Sequence, residues 1–344
     1  MIDEDNMKRI TAVTMRDIGQ AAGVSAVTVS KALAGKDGVG EETRQKIVGL
    51  ARAMGYANPS AAQTGEKRQL DVGILVPEHF FSKNSFYSML YQLLVQVLKE
   101  SRHFSLLEII QPEMEKEKTL PNLLKSSRVD ALILLGQPDP EYMRLIVGQG
   151  THTVFLDFYD EDACTDAVVG DNTYGAYLLT SHLIKNSHRD IGFVGSLRAT
   201  SSIMDRYLGY CRAMITHDLP IRDEWIIPDR DESGRFISLS LPEQLPTGFV
   251  CNCDLVACFL IEALKKRGIR VPQDVSVVGF DDYAGAKCAP ALSTFHLDSR
   301  AMVDIAVNLV EDRCAGVVKP FSRTVVSGQP IYRSSVIPPK PKEN

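Results

Sequence analysis

Residues 14–35 read TMRDIGQAAGVSAVTVSKALAG, and two short apolar patterns meet within this stretch at Gly23. Apolar residues recur at helical spacing on both sides of the glycine, for example Ile18 and Ala22 before it. Glycine adopts the positive φ that a tight turn between two helices needs, and Ser25 is placed to cap the second helix. The stretch therefore predicts a helix-turn-helix, whose second helix would lie in the major groove of DNA.

The second predicted helix keeps mostly small and hydroxyl-bearing side chains outside its apolar face. Small apolar groups can contact a thymine methyl, and hydroxyls can reach phosphate oxygens. We expect Lys31 to contact a base. The alternative is a helical hairpin that only packs inside a larger domain. The groove-facing candidates are Ala26, Val27, Thr28, Ser30 and Lys31.

A third helical pattern follows at residues 41–54, where apolar residues such as Ile47 recur at helical spacing, and Gly55 then ends it. Residues 7–58 contain eight Lys and Arg against four Asp and Glu, so this part carries a net charge of +4, whereas the whole chain carries −5. A small basic three-helix unit joined to an acidic remainder is typical of a nucleic-acid-binding end.

The run VTMRDIGQAAGVSAVTVSKALAG, followed by TRQKIVGLARAMGY, resembles the DNA-binding headpiece of the lactose-repressor/galactose-repressor (LacI/GalR) family of bacterial transcription regulators. The resemblance continues through essentially the whole chain. It implies that Ala26, Val27 and Lys31 lie where the family reads bases. The positions where the family contacts phosphates or caps helices are Thr14, Ser25, Thr28 and Ser30.

The headpiece, residues 14–58, is followed by a stretch of low apolar content that ends in Lys67 and Arg68. The family usually has a short hinge helix here, with a leucine inserted into the minor groove. No leucine occurs in this chain between Tyr56 and Leu70. We therefore expect residues 59–69 to form either a disordered tether or a hinge helix that uses other contacts. We expect residues 1–13 to be an N-terminal tail.

From Leu70 onward, apolar runs of strand length alternate with helical patterns. The strands are continuously hydrophobic, which indicates doubly wound parallel sheets that are covered on both faces. The strands are too many for one sheet, so we expect an α/β body of two lobes with a cleft between them. The resemblance implies a periplasmic-binding-protein-like sensor at residues 70–340, responsible for effector binding and dimerisation. Its first lobe would be residues 70–169 plus 299–323, and its second lobe residues 170–298 plus 324–337.

Polar side chains follow several of the predicted strands, at the edge where parallel sheets bind ligands. Carboxylates accept hydrogen bonds from sugar hydroxyls, and a guanidinium donates to them. The alternative for each residue is a helix cap or a structural salt bridge. The resemblance places Asp157, Arg206 and Asp281 where the family commonly holds its effector, and Phe236 where an aromatic ring stacks. The candidate cleft residues are Phe80, Phe81, Asp157, Arg206, Phe236, Cys253, Asp254 and Asp281.

One of these positions departs from the family. Where the family often has Asn-Asp after a strand, this chain has Cys253-Asp254. The change removes a side-chain donor and an acceptor, so we do not expect the effector geometry of familiar members to apply here. Asp254 precedes a long helix and is also a candidate N-cap.

Composition sets further bounds. The 344 residues suit two or three domains, and no stretch approaches the length of a membrane span. Residues 1–9 lack an apolar signal region, so we expect the protein in the cytoplasm without a membrane partner. Seven cysteines in such a chain indicate thiols rather than disulfides. Cys251, Cys253 and Cys258 cluster without the spacing of a zinc site, so we expect buried thiols and no metal.

Catalytic motifs are missing from the sequence. It contains no G-x-x-x-x-G-K-[ST], G-x-S-x-G or H-E-x-x-H pattern, and no predicted strand is followed by G-x-G-x-x-G, so we expect neither an enzyme nor a cofactor. We expect a homodimeric repressor of carbohydrate-use genes that binds double-stranded operator DNA and responds to a sugar-like effector. The alternative is a solute-binding protein without a DNA role. Association of two dimers into a tetramer stays open, although no heptad-repeat tail follows Ile337 to support it.

Overall fold

The structure, a computed structural model, describes residues 13–33, 38–53, 68–81, 85–126, 128–283 and 288–341. The chain divides into two compact units, of which the N-terminal one extends to Arg68 and the larger one begins at Gln69. The predicted N-terminal tail at residues 1–13 and the predicted tether or hinge helix at residues 59–69 lie outside the described residues, apart from Val13, Arg68 and Gln69.

In its described residues the N-terminal unit contains three helices, α1 (Met15–Ala22), α2 (Ala26–Leu33) and α3 (Glu41–Ala53). Their apolar faces meet in one small core around Ile18, Val29 and Ile47, which are fully buried. These are the three helices that the helical periodicity predicts.

The larger unit alternates strands and helices along the chain, as predicted. Its strands are β1 (Asp71–Pro77), β2 (Phe104–Ile110), β3 (Ala131–Leu135), β4 (His152–Leu156), β5 (Asp166–Gly170), β6 (Ile191–Val194), β7 (Ile226–Ile227), β8 (Gly248–Cys251), β9 (Ser276–Val278), β10 (Thr294–Leu297), β11 (Arg323–Val326) and β12 (Gly328–Ile331). Its helices are α4 (Phe86–Glu100), α5 (Pro112–Glu117), α6 (Asn122–Lys125), α7 (Pro140–Val147), α8 (Asn172–Lys185), α9 (Ser201–Thr216), α10 (Asp254–Lys266) and α11 (Ser299–Cys314).

The first lobe is built on a six-stranded parallel sheet in the order β11-β5-β4-β3-β1-β2. Helices α4 and α11 cover one face, where Leu94 and Val307 join the buried residues of the strands. Helices α6 and α7 cover the other face through Leu123 and Met143. Because both faces are buried, the strands carry the continuous hydrophobic runs seen in the sequence.

The second lobe is built on a four-stranded parallel sheet in the order β7-β6-β8-β9. Helices α8 and α9 pack on one face through residues such as Leu183 and Met214. Helix α10 packs on the other face through residues such as Leu260. The doubly wound parallel arrangement predicted for the body is therefore present in both lobes.

The boundary between the two lobes near the C-terminus lies later in the chain than the sequence predicts. Strand β11 pairs in parallel with β5 of the first sheet, with Val326 opposite Gly170. The first lobe therefore extends to Val326 rather than to residue 323, and the final segment of the second lobe begins at β12 rather than at residue 324. Strand β12 pairs antiparallel with β10. The family resemblance places this boundary between residues 323 and 324, although Ser327-Gly328 is a turn signal in the sequence.

Side-chain caps fix where two helices of the body begin. Asp139 caps α7 by accepting a hydrogen bond from the Tyr142 N–H at 3.0 Å. Helix α9 begins at Ser201, because the Thr200 hydroxyl caps it. Among the helices that the structure describes, none combines the length and hydrophobicity needed to cross a membrane.

Candidate functional site

Two glycines build the turn between α1 and α2. Gly23 has a φ of 75°, in the left-handed region that side chains disfavour. A Cβ on Gly19 would lie 2.7 Å from the backbone oxygen of Val24, so only glycine permits this close approach of the turn to α1. The Val24 N–H donates to the Gly19 oxygen at 2.9 Å and closes the turn.

Hydroxyl caps begin both helices. The Thr14 hydroxyl and the Asp17 carboxylate form a capping box at the start of α1, with the Thr14 N–H donating to Asp17 Oδ2 at 2.7 Å. These bonds from Thr14 hold the pKa of Asp17 below its usual range. The Ser25 hydroxyl accepts a hydrogen bond from the Thr28 N–H at 3.1 Å. Thr14 and Ser25 therefore orient the two helices by satisfying their first backbone donors.

The outer face of α2 carries the residues predicted to read DNA. Val29 and Ala32 are buried in the headpiece core, so the opposite face of the same helix is left to solvent. Val27 is 66% exposed, an uncommon exposure for a large apolar side chain. Ser30 and Lys31 are exposed beside it, and Ala26 and Thr28 are partly exposed.

A cleft between the two lobes holds most of the predicted effector residues. Asp157 follows β4 and Asp281 follows β9 closely, both with positive φ, and Arg206 comes from the second turn of α9. The cleft contains about 690 Å³ of space, including solvent at its mouth. Its lining residues are His79, Phe80, Ser85, Phe86, Tyr87, Asp157, Thr200, Ser202, Ile203, Arg206, Arg230, Phe236, Asn252, Cys253, Leu255, Asp281 and Tyr283.

Arg206 is held by the protein on several sides. Its Nε donates to Asn172 Oδ1 at 2.8 Å, and its Nη2 lies 3.0 Å from Asp281 Oδ1. Its guanidinium carbon lies 4.0 Å from the centre of the Phe280 ring. Burial opposes the charge of Arg206, but the carboxylates of Asp281 and Asp157 outweigh it and raise the pKa of the guanidinium. Arg206 is thus a fixed cation in the wall of the cleft.

Asp157 is only partly satisfied by hydrogen bonds within the cleft. The Tyr87 hydroxyl donates to its Oδ2 at 2.8 Å, whereas its buried Oδ1 has no hydrogen-bond partner among the residues that the structure describes. Burial raises the pKa of Asp157 to about 6, with Arg206 opposing the shift and Asp281 adding to it. A buried acceptor without a donor is unfavourable, so this oxygen is suited to accept a hydrogen bond from a bound molecule.

Arg230, Phe236 and His79 form another part of the lining. The Arg230 guanidinium carbon lies 4.7 Å from the centre of the Phe236 ring, and Arg230 Nε donates to Asp229 Oδ2 at 3.0 Å. Burial and the nearby positive charges of Arg230 and Arg235 lower the pKa of His79 to about 4. His79 is therefore a neutral imidazole at pH 7, able to donate one hydrogen bond and accept another.

Two predicted cleft residues do not line the cleft. Phe81 packs edge-on against Tyr91 of α4, with ring centres 5.4 Å apart. Asp254 lies beneath the cleft, where its Oδ1 accepts a hydrogen bond from the Thr294 hydroxyl at 2.7 Å. Burial, with Asp281 adding to the effect, raises the pKa of Asp254 to about 8.

Asp254 is also not the N-cap of α10. The cap is Cys253, which makes no side-chain hydrogen bond to the helix. Cys253 does line the cleft, and burial raises the pKa of its thiol to about 12. The amide expected there in familiar members is replaced by a protonated thiol. The neighbouring Asn252 amide is committed to the protein, since its Nδ2 donates to Val194 O and to Asp229 Oδ2.

The sequence interpretation missed several lining residues. Tyr87 and Arg230 are the most important, because they bring a hydroxyl donor and a second guanidinium to the cleft. Tyr87 lies one residue inside α4, near the carboxyl end of β1, where a ligand-binding role could have been considered. Arg230 follows the two-residue strand β7, which is too short to be recognised from periodicity.

Comparison with known families agrees with the division of the chain into a headpiece and a larger unit. Residues 14–59 match the family described as bacterial regulatory proteins of the lacI family. Residues 180–336 match the periplasmic binding protein-like domain. The first match covers the headpiece with its capped helices, and the second covers most of the second lobe together with α11.

Two relatives are similar over most of their length. The HTH-type transcriptional regulator RegA of Clostridium saccharobutylicum is 30% identical over 310 residues, covering 87% of this chain and 92% of that protein. The HTH-type transcriptional repressor PurR of Actinobacillus pleuropneumoniae serotype 3 (strain JL03) is 28% identical over 308 residues, covering 87% of this chain and 90% of that protein.

Solved structures share the fold. The transcriptional regulator CelR in complex with cellobiose gives a TM-score of 0.67 at 20% identity, covering 94% of this chain and 100% of that one. The lac repressor dimer bound to operator and the anti-inducer ONPF gives 0.64 at 21% identity, covering 95% and 100%. A LacI family regulator from Enterococcus faecium with bound ribose gives 0.65 at 21% identity, covering 78% and 100%.

Proposed function

The chain belongs to the LacI family of bacterial regulatory proteins, and on that premise we propose that it is a homodimeric repressor of carbohydrate-use genes, controlled by a sugar-like effector in the cleft. As a member of this family it is a DNA-binding transcriptional regulator with an effector-binding domain. It would act on operator DNA in the cytoplasm.

The DNA-binding part of the proposal rests on the exposed face of α2. The apolar Val27 and the hydroxyl and amino groups of Ser30 and Lys31 lie together on that face. A two-fold dimer would place two such helices on the half-sites of a near-palindromic operator, with half-site centres roughly 34 Å or a multiple of that distance apart.

The effector part rests on one observation, the buried and unpaired Oδ1 of Asp157. Leaving a buried acceptor unpaired costs about 1–3 kcal/mol, which a hydroxyl donor on a ligand would recover. The Phe236 ring, 43% exposed at the same cleft, offers an apolar face to a sugar ring. Arg206 and Asp281 pair with each other, so we assign Arg206 the role of holding the Asp281 carboxylate in place.

Two of the structural neighbours support a sugar as the class of effector, since CelR holds cellobiose and the Enterococcus faecium regulator holds ribose. Control of DNA binding would follow from lobe closure around the effector. Polar contacts already join the lobes, for example the Ser201 N–H donating to Gln137 Oε1 at 2.8 Å. An effector can shift DNA affinity only by its differential affinity for the two lobe arrangements, typically about 1–3 kcal/mol.

The alternative, a solute-binding protein without a DNA role, does not account for the headpiece. To test the DNA role, the purified full-length protein would be used to select duplexes from a random library. We expect enrichment of one near-palindromic sequence, and the variant Lys31→Ala should lose preference at one position in each half-site. Recovery of unenriched library after repeated rounds would contradict a sequence-specific regulator.

To test the effector class, the melting temperature would be measured with a panel of mono- and oligosaccharides, alongside the variant Asp157→Asn. A sugar at about 100 times its Kd stabilises the native state by about 2.7 kcal/mol, which gives a clear shift. The same sugar should shift Asp157→Asn much less. If no sugar shifts the wild-type protein while other solutes do, the carbohydrate assignment is wrong and the regulator takes another class of ligand.

A further inference from the structure

Four of the seven cysteines lie close to helix α10. Cys251 ends β8, Cys253 caps α10, Cys258 lies within it, and Cys288 packs against the same hydrophobic cluster. None of the four is in a disulfide. Within the residues that the structure describes, no group of three or more His, Cys, Asp and Glu is arranged to hold a metal ion. The cluster is thus a set of neighbouring thiols.

Two of these thiols contact each other. The Cys258 thiol hydrogen-bonds to the sulfur of Cys288. Cys258 is 9% exposed, whereas Cys288 is half-buried and closer to solvent. A hydrogen-bonded thiol pair with one accessible member has the arrangement that a small oxidant needs, namely an attacking sulfur and a resolving sulfur next to it.

Tyr283, which precedes Cys288 in the chain, also contacts α10. The Tyr283 N–H donates to Asp254 Oδ2 at 2.8 Å, and Tyr283 lines the effector cleft. Asp254 and Cys258 are four residues apart in α10 and therefore lie on one face of the helix. The Cys258–Cys288 contact is thus one helical turn from the contact that positions a residue of the cleft.

We propose that Cys258 and Cys288 form a redox-modification site, which closes to a disulfide when hydrogen peroxide or a similar small hydroperoxide reaches Cys288. The resulting bond fixes Cys288 to α10, one helical turn from the contact between Tyr283 and Asp254, and so adds an oxidative input to the effector-binding lobe. This site is separate from the cleft, because neither sulfur lines it.

The chemistry balances with the peroxide as the only oxidant. The Cys288 thiolate attacks one peroxide oxygen, the O–O bond breaks, and hydroxide leaves, so that Cys288 becomes a sulfenic acid. The Cys258 sulfur then attacks the Cys288 sulfur, the S–O bond breaks, and the departing hydroxide takes the Cys258 proton to form water. The hydrogen bond from Cys258 lowers the pKa of Cys288, which favours Cys288 as the attacking sulfur.

The test uses the full-length reduced protein, treated with a tenfold excess of hydrogen peroxide and then alkylated and digested without reductant. Mass spectrometry should find one cross-linked peptide that joins Cys258 to Cys288 and is two hydrogens lighter than the sum of its parts. This species should form at least tenfold faster than oxidation of the exposed Cys164. The melting temperature should rise by several degrees and return to its starting value with dithiothreitol, since a closed loop restrains the unfolded chain.

Variants supply the control. Cys288→Ser should abolish both the cross-link and the rise in melting temperature, whereas Cys164→Ser should change neither. Three results would overturn the proposal: oxidation of Cys164 before Cys288, pairing of Cys288 with Cys253, or irreversible sulfinic acid on Cys288 without a cross-link. The peptide map of the wild-type protein is decisive even if a variant folds poorly.

Discussion

Arg206 and Asp281 form an ion pair with 3.0 Å between Nη2 and Oδ1, and their side chains are only 5% and 6% exposed. Arg206 also donates to Asn172 and lies over the ring of Phe280. Most of the guanidinium is therefore engaged by the protein before any ligand arrives. A residue of this kind shapes the effector cleft and supports the second lobe at the same time.

Removal of Arg206 should therefore affect both response and stability. Arg206→Ala leaves Asp281 buried without its counter-charge, so we expect a loss of about 3–5 kcal/mol in the free energy of unfolding. We also expect the operator-bound fraction to become insensitive to the effector, with operator binding retained below the melting temperature. Urea unfolding and an effector titration of operator binding measure the two effects.

Arg212 provides the matched control on the same helix. It is exposed, and its guanidinium carbon lies 5.0 Å from the Tyr177 ring. Arg212→Ala should cost no more than about 1 kcal/mol and leave the effector response intact. If the dose–response curve of Arg206→Ala matched that of the wild type, Arg206 would have no place in the effector site.

The burial of the Asp157 carboxyl predicts that stability depends on pH in a specific way. Burial raises the pKa of Asp157 from 3.8 to about 6, so folding favours the protonated form. The contribution of this group to stability is then complete below about pH 4, is lost as the pH rises through the folded pKa, and is absent above it, a change of about 3 kcal/mol. Asp157→Asn stays neutral, so its free energy of unfolding relative to wild type should increase by about that amount between pH 4 and 7.

The measurement is chemical denaturation of both proteins over that pH range. Asp312→Asn removes a surface carboxylate that pairs with Lys319, and its difference from wild type should change by less than about 1 kcal/mol. Parallel stability curves for Asp157→Asn and wild type would show that the pKa of Asp157 is the same in the folded and unfolded states, against the effect of its burial.

The parts of the molecule that the sequence predicts well are those set by local contacts. The caps of α1 and α2 join residues three apart, Thr14 to Asp17 and Ser25 to Thr28. A pattern of that length can be recognised directly in the sequence. The strands of the body can also be predicted, because burial on both faces leaves a continuous apolar run that is visible in the sequence.

The parts that were missed depend on distant pairings. Tyr87 reaches Asp157 across 70 residues of sequence, and no local pattern encodes that contact. Strand β11 belongs to the first sheet only because its backbone pairs with β5. Phe80 and Phe81 are adjacent and chemically identical, yet only the first lines the cleft, because the backbone turn after β1 decides which ring faces inward.

Phe236 should contribute to ligand affinity without supporting the fold. Its ring lines the cleft, is 43% exposed and contacts Arg230 and Phe259. Phe236→Ala should weaken binding of the sugar selected by thermal shift by about 2- to 10-fold, the range of an aromatic contact worth about 0.5–1.5 kcal/mol. Titration calorimetry measures this change. Phe104→Ala removes an aromatic ring that is 58% exposed outside the cleft and should leave the affinity unchanged; equal affinities for the two variants would exclude stacking on Phe236.

Lys31 should determine preference at a base pair. Lys31 is exposed on the face of α2 opposite the headpiece core. Lys31→Ala should reduce discrimination at one operator position by about 1–3 kcal/mol and leave discrimination elsewhere intact. Binding to a set of single-substitution operators at fixed salt measures this change. A uniform loss on every sequence, with a shallower salt dependence, would instead make Lys31 a phosphate contact.

The turn between α1 and α2 should tolerate no side chain at Gly19. An alanine at position 19 would place its Cβ 2.7 Å from the Val24 backbone oxygen, which cannot move without opening the turn to α2. We expect Gly19→Ala to destabilise the headpiece by about 1–3 kcal/mol. It should also reduce operator affinity, because opening the turn displaces α2. Effector binding should not change, since the cleft lies in the larger unit.

Gly49→Ala is the matched control, because a Cβ at this position in α3 would meet no atom of the described residues within 4 Å, apart from its chain neighbours and its own helix backbone. It should stabilise the headpiece by about 0.5–1 kcal/mol, since alanine restricts the unfolded chain more than glycine does. Circular dichroism melting and operator anisotropy on both variants separate the two effects. If Gly19→Ala bound operator as tightly as Gly49→Ala, the spacing between α1 and the turn would not control how α2 is presented to DNA.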